Sequence, residues 1–160
     1  IYNETNKDPF EDYINHMRDS EYFIFENDLV FITAPFAPSF PDQVDIIPKI
    51  KAKNVIDLVD ENFLSNEQRG ILIRSILGVF HALRHRRGVT DFNFGVHQHD
   101  FRNNGSPYRL HFHITPRNKN RLGGLEVLFG SNVAPVDPAV TAKAIREHYQ
   151  IPVSSSSFNH

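Results

Sequence analysis

The chain has 160 residues, 40% of them apolar and fourteen of them phenylalanine, which suits one domain able to bury a core without staples. A formal charge of −2 and a pI near 6.5 give no electrostatic reason to expect bulk nucleic-acid binding. The absence of cysteine excludes a disulfide framework, a zinc–thiolate site and a thiol nucleophile. No apolar run approaches the roughly 20 residues needed to span a bilayer, and no signal peptide is visible, so a cytoplasmic protein is expected. The chain opens on Ile1, as a trimmed, processed or partial chain would. Residues 1–151 read as a single domain, and 152–160, rich in serine, as a disordered or appended tail, so His160 is left out of any site.

Asp8-Pro9 is an N-cap followed by proline at the first helical position, which predicts a short helix from Pro9 to about Arg18. Tyr22–Phe25 and Leu29–Thr33 predict two strands joined by a tight turn at Glu26-Asn27-Asp28. Ala34 to Pro41 carries three prolines and is extended rather than helical. Gln43–Ile47 predicts a third strand, ended by Pro48, and Val55–Leu58 a helical turn. Ser65-x-x-Gln68 is a capping box, after which Ile71, Leu72, Ile76, Val79, Phe80 and Leu83 recur at helical spacing. That helix should run to about Arg87, where Arg84, Arg86 and Arg87 suit the negative end of its dipole and Gly88 stops it. The same basic cluster could bind phosphate, but helix capping accounts for it.

Two alternating strands follow. In Asp91–His97, Phe92, Phe94 and Val96 fall on one face and Asn93, Gly95 and His97 on the other. About ten residues rich in turn formers, including Asn103, Asn104, Gly105 and Ser106, suit a hairpin with a long loop. Tyr108–Arg117 then alternates strictly, with Leu110, Phe112 and Ile114 facing a core and Arg109, His111, His113 and Thr115 on an open face. Antiparallel pairing would bring His97 beside His111 and His113, with Gly95 leaving the backbone open to a ligand or metal. Solvated histidines are the bland alternative, and three convergent imidazoles count against it. Gly124–Phe129 suggests one more strand, and Asp137-Pro138 caps a last helix ending near Tyr149. The expected architecture is an α+β domain: an antiparallel sheet of about five strands, the Ser65–Arg87 helix packed on the Leu110, Phe112 and Ile114 face, and short flanking helices.

From Phe23 to about Tyr149 these residues resemble the histidine-triad (HIT) superfamily, whose members carry H-φ-H-φ-H-φ-φ after an F-N-x-G-type strand, often followed by Pro-Arg. Counting back from Pro116-Arg117 puts the middle histidine at His111, the third at His113 and Arg109 in the place of the first. His97 occupies the place of a polar residue near the phosphates. The resemblance implies that the middle histidine attacks a nucleotide α-phosphate and forms a nucleotidyl-histidine intermediate. Pro35-Phe36, Phe40-Pro41, the I-I-P-K end of Pro41–Lys49, L-H-x-H and Gly123-Gly124-Leu-Glu126 further resemble the second half of galactose-1-phosphate uridylyltransferase and its transferase and phosphorylase relatives. That likeness implies instead that His97, His111 and His113 bind a metal of structural importance, while the nucleophile lies in another half, in an H-P-H motif that this chain lacks. Pro35 stands where many family members carry a ribose-binding aspartate. Arg109 cannot accept a hydrogen bond as a histidine can, but it can neutralise a phosphate.

Two functions therefore stand side by side. One is a nucleotidyl hydrolase, transferase or phosphorylase acting on a nucleotide or nucleotide-sugar phosphate, with His111 as nucleophile, His113 and Ser106 holding phosphate oxygens, and Asn93 and Arg109 beside the phosphate. The other is a non-catalytic metal-binding domain, with zinc or iron held by His97, His111 and His113 and a fourth ligand drawn from His99, Asp100, Glu126 or water. A module used only for pairing with another chain is the third. Each implies a homodimer or a second HIT-like half as partner, and neither nucleic acid nor membrane.

Overall fold

The structure, a computed structural model, describes residues 8–98, 109–117 and 136–150, without the side chains of residues 86 and 87. Among them the chain runs α1 (Pro9–Arg18), β1 (Phe23–Glu26), β2 (Val30–Thr33), β3 (Val44–Pro48), α2 (Asn66–Arg87), β4 (Phe92–His97), β5 (His111–Pro116) and α3 (Pro138–Arg146). The five strands pair antiparallel in the order β1-β2-β3-β5-β4, which makes this an α+β fold. The expected Gly124–Phe129 strand and the tail lie outside the described residues, and no helix among those described is long and apolar enough to cross a membrane.

Each helix starts where its capping chemistry places it. Asp8 accepts from Phe10 N at 2.9 Å, and Ser65 and Gln68 close a reciprocal capping box. Gly88 ends α2 in the left-handed region at φ 60°. The long helix buries Leu72, Val79, Ala82 and Leu83 against Val44, Ile46, Leu110, Phe112 and Ile114 of the sheet. Gly78 is required there, because a Cβ would come within 2.8 Å of the Tyr149 ring and 2.9 Å of the Gln150 carbonyl oxygen. The adjoining α3 is tied to the turn before β3 by the Thr141 hydroxyl, which donates to Asp42 at 2.9 Å.

The opposite face of the sheet is not open. Helix α1 lies across it and packs Ile14 and Met17 onto Phe31 and Ile47, with Phe10, Tyr13, Tyr22 and Phe23 around them. Both ends of α1 are held. At its C-terminus Arg18 forks onto Glu26 at 2.8 and 2.9 Å, and Lys49 adds a third contact at 2.9 Å. The Arg18 hydrogen bond first, then Lys49, pulls the Glu26 carboxyl down to about 2. At its N-terminus Arg109 pairs with Asp8 and reaches Glu11 at 3.4 Å.

The alternation of β4 and β5 thus assigns faces correctly and exposure only in part: Leu110, Phe112 and Ile114 are buried as expected. Arg109 (4%), His111 (8%) and Thr115 (9%), expected on an open face, are buried. Phe94 (45%) and Val96 (41%), expected in the core, are exposed, although Phe94 stacks on Phe112 at 5.4 Å. The reason is the strand order: β5 lies inside the sheet with a helix on either side, whereas among the described residues β4 is the edge.

Candidate metal centre

The histidine cluster is a product of register. His97 on β4 lies directly opposite His111 on β5, and His113 lies between Gly95 of β4 and Asp45 of β3. Residues two apart on a strand share a face, so His111 and His113 project together and His97 joins them from the edge. The ring centroids are 4.9 Å (His97–His111), 4.4 Å (His97–His113) and 5.0 Å (His111–His113) apart. One nitrogen from each ring lies within 4.8 Å of the other two. Phe10 of α1 covers the cluster from one side, its ring 5.0 Å from that of His111. Among the described residues a Cβ at Gly95 would meet only His113, at 3.8 Å.

Hydrogen bonds decide which nitrogens are available. Nδ1 of His111 is 3.0 Å from the Arg109 carbonyl oxygen, which can only accept, so Nδ1 carries the proton and Nε2 keeps its lone pair. Nδ1 of His113 is 2.5 Å from Oδ1 of Asp45 and 3.2 Å from Nε2 of Gln43. Burial, reinforced by the neighbouring His113 and His97 rings, lowers the His111 pKa below its ordinary value against the pull of the Arg109 carbonyl and Asp45. Burial and then His113 lower that of His97, against Asp45. Near neutral pH both rings are therefore uncharged.

This donor set fits a divalent transition metal. Three imidazoles suit zinc or iron, and an Nδ1–H held by a carbonyl or carboxylate is the usual support of a ligating imidazole. With bonds of roughly 2.0–2.1 Å, tetrahedral ligand atoms stand about 3.4 Å apart, so the rings would close inwards by on the order of 1 Å.

The other expected site residues are placed as follows. Asn93 shares the histidine face but lies opposite Thr115, about 13 Å along the strand from His97 at roughly 3.3 Å per residue. Arg109, expected beside a phosphate, has its guanidinium against Asp8 and Glu11. Ser106, His99, Asp100 and Glu126 lie outside the described residues. Sequence reasoning missed Asp45, Gln43 and Phe10. The signal for Asp45 was present: a lone carboxylate inside the apolar run V-D-I-I needs a partner when that strand is buried. Nothing local marked Phe10, which reaches His111 only through the packing of α1.

Neither a family model nor a curated protein matches the sequence. Solved structures do match the fold. A uridylyltransferase superposes with a TM-score of 0.68 at 20% identity, over 88% of this chain and 48% of its own. An ADP-glucose phosphorylase from Arabidopsis thaliana, solved with bound ADP-glucose, gives 0.69 at 21%, over 91% and 45%. A zinc-bound histidine triad family protein from Mycobacterium smegmatis gives 0.58 at 14%, over 88% and 91%. The chain spans about half the length of the first two and nearly all of the third. With its five-stranded sheet, long covering helix and histidine-bearing pair of strands β4 and β5, the chain has the fold of the histidine-triad (HIT) superfamily.

Proposed function

We propose that this protein is a HIT-like domain with a three-histidine metal centre, zinc or iron, and that it serves nucleotidyl chemistry on a nucleotide or nucleotide-sugar phosphate together with a second HIT-like half or a second copy of itself. The observation that carries the reading is the convergence of His97, His111 and His113 within 4.8 Å, with Nδ1 of two of them already held by acceptors. When bound, the metal would cross-link the edge strand β4 to β5. The residues themselves supply the orientation: the Arg109 carbonyl for His111 and Asp45 for His113.

Metal analysis of the purified protein tests this. About one zinc or iron per chain is expected, and His97→Ala should weaken binding at least 100-fold, since two imidazoles remain. Protons compete with the metal for the same lone pairs. With His97 and His111 pKa values below the ordinary 6.5, affinity should hold down to that pH and fall as pH drops further. A metal-free protein whose stability ignores added zinc would end the proposal.

A second reading has its own support. The His111 tautomer, neutral with Nε2 unprotonated, is also what a nucleophile toward phosphorus requires. In that case His111 cannot be a metal ligand. Incubation of the metal-free protein with labelled nucleotides and nucleotide sugars should give an acid-labile adduct that His111→Ala abolishes. Absence of an adduct in the metal-free protein, with stoichiometric metal in the protein as purified, would leave the first reading alone.

A further inference from the structure

We propose that Asp45, itself oriented by Gln43, is a positioning residue that fixes the tautomer of His113 and thereby presents its Nε2 to whatever the cluster binds. The metal arm of the test below rests on the reading just given; the tautomer arm does not.

Asp45 is the one charged residue of β3, a strand whose five residues are all buried. A carboxylate in such a place needs compensating partners. Register puts Thr33 of β2 on one side of it and His113 of β5 on the other. Its Oδ1 receives two contacts, from His113 Nδ1 at 2.5 Å and from Gln43 Nε2 at 3.0 Å. The Gln43 amide is itself set by Ser39 N, which donates to Oε1 at 3.0 Å. That bond leaves Nε2, the donor end, turned to the carboxylate.

Gln43 Nε2 also lies 3.2 Å from His113 Nδ1, so two protonation patterns compete. If Nδ1 were unprotonated it could accept from Gln43, but it would then face a carboxylate oxygen at 2.5 Å with no proton between them. An ionised carboxylate has only lone pairs to offer, and two acceptors at that distance repel. The proton therefore sits on Nδ1 and is donated to Asp45, while Gln43 donates to the same carboxylate. His113 is left with Nε2 as its available lone pair. The two histidines of β5 reach one tautomer by different means, His111 through a neutral backbone carbonyl and His113 through a charged side chain. Substitution can alter only the second without moving the backbone.

The experiment has two arms on the same proteins. In the first, imidazole 15N shifts of the metal-free protein at pH 8 are read for His113. The wild type should show a protonated Nδ1 and an unprotonated Nε2. Asp45→Asn keeps the shape but can donate as well as accept, so a mixed or reversed tautomer is expected, with His111 unchanged. In the second, zinc affinity is measured by competition with a chelator. Loss of a carboxylate supporting a ligating imidazole typically costs 10–100-fold in affinity, and that range is expected for Asp45→Asn, with partial rescue in Asp45→Glu. Should Asp45→Asn fail to fold, Gln43→Ala leaves the carboxylate in place and should lower affinity by about 3–10-fold, at the weak end of the same effect. A wild-type His113 with Nε2 protonated, or zinc affinity unmoved in Asp45→Asn, overturns the proposal. A wild type with the expected tautomer that binds no zinc overturns the metal centre and leaves the positioning role standing.

Discussion

Phe31→Ala is expected to lower the stability of the domain by about 3–5 kcal/mol, the range for removing a fully buried phenyl ring. Phe31 has no exposed surface and is central to the second core, where Ile14 and Met17 of α1 meet Ile47 and the Phe23 ring 5.7 Å away. Ile14 and Met17 of α1 pack on this ring, so its removal leaves a cavity between α1 and the sheet. Its loss should loosen α1 before it melts the sheet, because the α2 side of the sheet does not include Phe31. Amide exchange should therefore accelerate first in Pro9–Arg18 and only later in β3 and β5. Since Phe10 travels with α1, the His111 ring should become reactive to imidazole-modifying reagents in the same variant. Denaturant unfolding with a loss under about 1 kcal/mol, or uniform acceleration of exchange, would show that α1 is not an independent layer over the histidines.

Arg109→Met is expected to cost about 3 kcal/mol, the lower end of the roughly 3–5 kcal/mol for removing one partner from a buried ion pair, because Asp8 keeps some exposure. The guanidinium is 4% exposed and pairs with Asp8, whose other oxygen caps α1 at Phe10 N. One carboxylate thus serves both the helix end and the sheet. Methionine keeps most of the volume, so the loss would come from leaving the Asp8 charge without its cation. The double change Arg109→Met with Asp8→Asn should recover about 1 kcal/mol or more of this, because asparagine still caps a helix while carrying no charge. The coupling, read from a double-mutant cycle, is the decisive quantity. Additive losses would mean that packing alone holds this corner. The same cycle bears on Arg109 as a phosphate ligand, since a guanidinium freed from Asp8 would be open to an anion.

The sequence by itself determined the parts of this protein that depend on local chemistry. Asp8-Pro9, Ser65-x-x-Gln68 and Gly88 set the helix ends because capping is completed within a few residues of chain. The alternation of Phe92–His97 and His111–Pro116 determined which side chains share a face, since that follows from the two-residue period of any strand. That period, joined to an antiparallel pairing of the two strands, places His97, His111 and His113 together, and their ring separations are 4.4–5.0 Å.

What the period does not encode is what covers each face and which strand ends a sheet. Those were decided by tertiary structure. Helix α1 folds back over the histidines through contacts more than ninety residues apart in sequence, such as Asp8 with Arg109, so the supposedly open face of β5 is buried. Among the described strands β4 became the edge, so Phe94 and Val96 are exposed although their pattern reads as core. Asp45 reached His113 only because β3, and not β4 alone, flanks β5. Strand order and helix docking are settled by the summed burial of the whole chain. No single segment carries that sum, and so the residues that orient the histidines could be known only after the fold was.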